Sequence, residues 1–179
     1  GNGVPRLVEL IMGAVDIAFS EAEHKRLTEV FLEFYNAAPA DLTTVFDGLE
    51  DVLVTLKAEG YVLGVCTNKP QAPAVAILDA LGLAKYFDVV FGGDALPQRK
   101  PDPAPLHATF NEMGASECLY VGDSEVDAET ADRAGVPFAI FTEGYRKTPV
   151  EELVHNWAFS DFAELTPIIR GAFAKEAHA

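Results

Sequence analysis

The chain is short of positive charge, of cysteine and of long apolar runs, and each shortage removes a class of function. Thirteen Lys and Arg stand against 28 Asp and Glu, a formal net charge of −15 at pH 7. That balance repels nucleic-acid backbones and anionic membrane surfaces unless a basic patch intervenes, and none is visible along the sequence. The two cysteines, Cys66 and Cys118, lie in apolar segments without a CxxC partner, so they read as reduced buried thiols. His24, His107, His155 and His178 form no ligand-like group, which argues against zinc. No apolar run approaches the roughly 18 to 20 residues that cross a bilayer, and GNGVPRLVEL lacks the charged start and apolar centre of a secretory signal. The expectation is a cytoplasmic protein with no nucleic-acid and no membrane partner.

What is present suffices for one α/β domain with a small appendage: 179 residues, 49% of them hydrophobic. Ser20 and Glu23 form a capping box ahead of Leu27, Val30, Phe31, Phe34 and Tyr35 at helical spacing, a helix that ends before Pro39. The preceding PRLVELIMGAVDIAF is a second helix, with Pro5 in its first turn and residues 1–3 as a loop before it. Beyond residue 40, helical stretches alternate with short apolar runs. LEDVLVTLKAE stops at Gly60, and YVLGVC, FDVVFGG, CLYVGD and PFAIFT are strands separated by QAPAVAILDALG, a helix from Pro103 to Met113, and EVDAETADRAG. A closing helix lies within DFAELTPIIRGAFAKEAHA. Four strands separated by helices require parallel crossovers, hence a doubly wound parallel sheet with helices on both faces.

Open parallel sheets bind ligands beyond the carboxyl ends of their strands. The first strand ends in Thr67 and Asn68, the second leads to QRKPDPAP with Lys100, the third ends in Asp123 with Asp127 one turn on, and the fourth ends at Thr142, Glu143 and Gly144. One rim would thus collect a hydroxyl, an amide, an ammonium group and two carboxylates, a set that fits a phosphate with a magnesium ion. Thr67 could donate to phosphate oxygens, and Lys100, held between stiff prolines, could neutralise phosphoryl charge. Asp123 offers the hard oxygen that Mg²⁺ prefers. Taken singly, each has a plainer reading: a turn or N-cap for Thr67 and Asn68, a solvated loop charge for Lys100, a helix start for the aspartates. Arg6 could meet a substrate carboxylate, but a solvated arginine near a helix start is the preferred reading.

Three strings go further together. LGVCTNKP, RKPDPAPL and YVGDSEVDAETADRAGVP resemble the second, third and fourth motifs of the haloacid dehalogenase (HAD) superfamily of phosphohydrolases, most closely its phosphoglycolate phosphatase-like branch. The similarity runs from Val45 to Thr142, and the helical start resembles part of that branch's cap domain. The resemblance implies a Rossmann-like core over residues 41–179, a partial helical cap over 1–40, and Mg²⁺-dependent hydrolysis of a small phosphorylated metabolite such as 2-phosphoglycolate. It implies that Thr67 and Asn68 bind the transferring phosphoryl group and that Lys100 stabilises it. Asp123 would ligate Mg²⁺, with Asp127 supporting that catalytic arrangement.

The resemblance also implies an aspartate nucleophile in a DxDGT motif ending a central strand, and no D-x-D occurs in these 179 residues. VFDGLE carries one aspartate, Asp47, in the linker, which does not qualify. The central strand would lie between those ending at Thr67 and Asp123; without it two interior edges face each other about 10 Å apart. The expectation is a sheet missing its central first strand, completed by an upstream segment or another chain, and no phosphatase activity from these residues alone. The alternatives are a non-catalytic HAD-like binding or interaction protein, a phosphomutase, and a haloacid dehalogenase, the last disfavoured because VGDSEVD looks built for metal. A phosphorelay receiver gathers its acids after the first strand and has no such helical leader.

Overall fold

The computed structural model describes residues 3–15, 18, 20–37 and 43–174. At the amino-terminal side α1 (Gly3–Ala14) packs on α2 (Glu21–Ala37). The Glu23 N–H donates to Ser20 Oγ at 3.2 Å, satisfying a first-turn amide as the Ser20 and Glu23 spacing suggests. Gly3 is already helical, so the helix begins inside the stretch expected as a leading loop. The boundary expected at residues 40 and 41 lies outside the described residues.

α3 (Leu49–Ala58) closes at Gly60, whose φ of 85° lies in the left-handed region that favours glycine. There follow β1 (Gly64–Cys66), α4 (Gln71–Ala80), β2 (Val89–Phe91), α5 (Ala104–Met113), β3 (Tyr120–Gly122), α6 (Glu125–Ala134), β4 (Phe138–Phe141), β5 (Trp157–Phe159) and α7 (Leu165–Phe173). β5 was not anticipated from sequence; it pairs in parallel with β4, Ala139 opposite Trp157.

The packing follows from the alternation of side chains along β4, which is buried along its whole length. Ala139 and Phe141 join Val52 and Leu56 of α3 and Leu165 and Ile169 of α7. Phe138 and Ile140 face the other way, onto Leu106 of α5 and Ala128 and Ala131 of α6. Helices therefore cover both faces, as the doubly wound reading requires. No described helix is long and apolar enough to cross a membrane.

Among the described residues the sheet is in two pieces. β1 pairs in parallel with β2, Gly64 opposite Val89, and β3 pairs in parallel with β4, Tyr120 opposite Phe138. Among the described residues β1 and β3 do not pair with each other. The interruption falls between the strands leading to Thr67 and to Asp123, where the missing strand is expected. Burial agrees: Ala139 and Ile140 in β4 are 0% exposed, whereas all three residues of β1 are only half-buried.

Candidate active site

Thr67, Asn68, Lys100, Asp123 and Asp127, distributed over sixty-one positions of sequence, line one open cavity of about 1090 Å³. The turn after β1 is held by its neighbours. Gln71 clamps the exit of β2, donating from Nε2 to the Val90 carbonyl at 2.9 Å and accepting the Gly92 N–H on Oε1 at 2.6 Å. A Cβ on Gly92 would strike the Gln71 backbone, and one on Gly93 the Asn68 carbonyl, so the two loops approach this closely only with glycines there. Within the turn, Thr67 Oγ accepts the Lys69 N–H at 3.1 Å, which leaves the hydroxyl proton for another acceptor.

Asn68 shows a task that the motif did not reveal. Its Oδ1 accepts the Lys100 N–H at 3.0 Å and its Nδ2 donates to the Lys100 carbonyl at 2.9 Å. The amide that was expected on phosphate thus clasps the backbone of the lysine loop and ties two strand ends together. Side chain and loop together bring Lys100 to Asp127: Nζ donates to Asp127 Oδ1 at 2.7 Å, with the two side chains only 10% and 9% exposed.

Asp127 is saturated. Its Oδ1 accepts from Lys100 and from the Tyr120 hydroxyl at 2.8 Å, while Oδ2 accepts from Ser124 Oγ at 2.6 Å and from the N–H groups of Ser124 and Asp123 at 3.2 and 3.3 Å. Burial alone would raise its pKa, but the Lys100 charge and these hydrogen bonds outweigh burial and bring it down to about 2. Asp127 therefore both caps α6, the plainer of its readings, and holds Lys100. Gly122 makes this possible, because a Cβ there would collide with the Asp127 side chain.

Asp123 is placed differently. Its Oδ2 accepts the Tyr145 N–H at 2.7 Å, Gly144 packs directly against the carboxyl group, and Oδ1 makes no hydrogen bond among the described residues. Among those residues no cluster of three or more His, Cys, Asp or Glu side chains is poised for a metal. Asp123 offers a single fixed carboxylate instead, a donor type suited to a small hard cation that completes its shell with water and phosphate oxygens.

The remaining lining is largely cationic and apolar, with Glu125 as a further carboxylate. Arg6, Leu7 and Leu10 of α1 and Phe31 and Leu32 of α2 face the strand ends across the cavity. Lys69, Arg146 and Lys147 join Lys100 and Arg6, so five of the thirteen basic residues of a strongly acidic chain meet here. Burial lowers the pKa of Lys69. Arg6 is ion-paired with Glu9 at 2.6 Å and remains largely exposed, in line with its helix-start reading. Arg146 is tied to the Thr142 carbonyl at 2.6 Å. Asp47 stands in an exposed turn before α3 and is not among the lining residues. Tyr120, Ser124 and Tyr145 were missed from sequence; the only available signal was their adjacency to Asp123 and to the end of the fourth strand.

The chain is similar to known proteins along nearly its whole length. A family model of haloacid dehalogenase-like hydrolases matches residues 9–141. The phosphoglycolate phosphatase of Cereibacter sphaeroides (strain ATCC 17029 / ATH 2.4.9) is 48% identical over 174 residues, covering 97% of this chain and 80% of that protein. That of Rhodobacter capsulatus is 38% identical over 173 residues, with 96% and 78% covered. The crystal structure of a predicted phosphoglycolate phosphatase from Haemophilus somnus 129pt superposes with a TM-score of 0.86 at 32% identity, over 94% of this chain and 78% of that one. Sequence, fold and the lysine–aspartate pair at the strand ends converge on one assignment: the chain belongs to the haloacid dehalogenase-like hydrolases, in their phosphoglycolate phosphatase-like branch.

Proposed function

We propose that the chain supplies most of the active site of a phosphatase for small phosphate monoesters, with 2-phosphoglycolate as the substrate suggested by its relatives. The observation that carries this reading is the meeting of Thr67, Lys100 and Asp123 in a cavity that concentrates positive charge on a chain of net charge −15. Local positive potential in a cleft attracts an anion that the rest of the surface repels. Thr67 donates its hydroxyl to a phosphoryl oxygen, and Lys100 stabilises the equatorial charge that builds during transfer. Asn68 and Asp127 keep Lys100 in place from its backbone and from its ammonium group. Mg²⁺, held by Asp123, would supply further neutralisation of phosphoryl charge. A cytoplasmic setting fits the two free thiols.

The attacking carboxylate is not found in these residues, and we place it on a segment that pairs between β1 and β3, which would bring its aspartate to the rim between Thr67 and Asp123. Attack on phosphorus would break the ester P–O bond, the second aspartate of the DxDGT motif giving the departing alcohol its proton, and would leave an aspartyl-phosphate. Water, losing a proton to that same aspartate, would then displace the nucleophile's carboxylate from phosphorus and release inorganic phosphate. The test is hydrolysis of 2-phosphoglycolate, with and without Mg²⁺, by the 179-residue chain and by a version carrying a DxDGT-bearing strand ahead of it. Metal-dependent turnover is expected only from the second. Comparable turnover by the shorter chain would overturn the placement of the nucleophile, and failure of both would overturn the phosphatase reading.

A further inference from the structure

Lys100 does not stand against Asp127 alone. Its Nζ donates to Asp127 Oδ1 at 2.7 Å and to the Tyr120 hydroxyl at 2.8 Å, and that hydroxyl donates to the same carboxylate oxygen at 2.8 Å. The three polar atoms form a closed triangle. An ammonium group has three N–H donors in fixed tetrahedral directions. Two are engaged inside the protein, so one is left for the cavity that Lys100 lines. Without the Tyr120 oxygen the ammonium could turn about its Cε–Nζ bond and tilt around a single anchor.

We propose that Tyr120 is a positioning residue for phosphoryl transfer: its hydroxyl completes the triangle that aims the remaining N–H of Lys100 at the transferring group. The inference rests on the phosphatase reading given above. It is independent of any packing role of the ring, which lies 5.7 Å from the Phe138 ring and 5.6 Å from Lys100 Nζ and would stay there in phenylalanine. The hydroxyl sits on a residue 8% exposed, where burial and the adjacent Asp127 charge keep the phenol protonated, well above its ordinary pKa.

The test is Tyr120→Phe in the catalytically complete enzyme, assayed with 2-phosphoglycolate per folded molecule, with inorganic phosphate as the competing ligand. Losing one aiming hydrogen bond should lower kcat about tenfold while KM and the phosphate inhibition constant hold within about twofold. A Lys100→Ala background provides the discriminating measurement. There the same Tyr120→Phe change should alter the residual rate less than about twofold, because the group it aims is gone. An unchanged kcat in Tyr120→Phe, or an equal loss with and without Lys100, overturns the proposal while leaving the phosphatase reading intact. Absence of turnover in the complete wild-type enzyme overturns both.

Discussion

Asp127 ties the position of Lys100 to the stability of the fold through one carboxyl group. Its folded pKa of about 2 lies below the ordinary aspartate value, so the group adds stability above about pH 4 and loses it as pH falls towards 2. The gap corresponds to about 2 kcal/mol. Urea unfolding of the wild type and of Asp127→Asn should therefore give a difference that is large at pH 5 and shrinks as the pH approaches 2. Asp123 depends on what surrounds it in another way. Gly144 leaves no room for a Cβ beside its carboxyl group, so Gly144→Ala should displace that oxygen donor. A loss of roughly 10- to 100-fold in Mg²⁺ affinity is expected, read by titration calorimetry independently of turnover. The meeting of Thr67, Lys100, Asp123 and Asp127 at the strand ends was legible in sequence because each sits in a contiguous string with its own pattern. The clasp of Asn68 on Lys100, 32 positions away, and the Tyr120 bond to the same lysine were not, because the fold alone decides which donors meet.

Among the elements, β4 has apolar side chains on both faces, and its central position follows from that. Ile140, fully buried against α5 and α6, should cost about 2–5 kcal/mol when shortened to alanine, measured as a fall in the urea midpoint. The helices were readable from apolar spacing and from their glycine stops; Gly135, at φ 67°, ends α6 as Gly60 ends α3. β5 was not readable. It spans three residues, WAF, with one exposed member, and its strand character comes from neighbours: Phe159 accepts the Thr142 N–H at 2.8 Å, and Asn156 exchanges hydrogen bonds with Phe138 at the other end. A run so short carries too little alternation to be distinguished from loop.

Across the whole molecule, the division of the sheet makes a prediction that requires no catalysis. β4 has partners on both sides, β1 and β3 on one side each among the described residues. Hydrogen exchange of the 179-residue chain should protect β4 most, with faster exchange in β1 and β3, and pairing of a further strand between them should slow both. Equal protection of β1, β3 and β4 in the shorter chain would contradict the interruption. The close packing of loops at the strand ends has a consequence for how this protein would look in a saturation mutational scan. Gly92, Gly93, Gly122 and Gly144 contribute no side chain, yet each stands where any Cβ would drive into the loop or carboxylate that shapes the rim. All four should tolerate substitution as poorly as Lys100 or Asp123. A map of intolerant positions would therefore outline a site larger than the set of groups that touch a ligand, its outer ring recording the room those groups need.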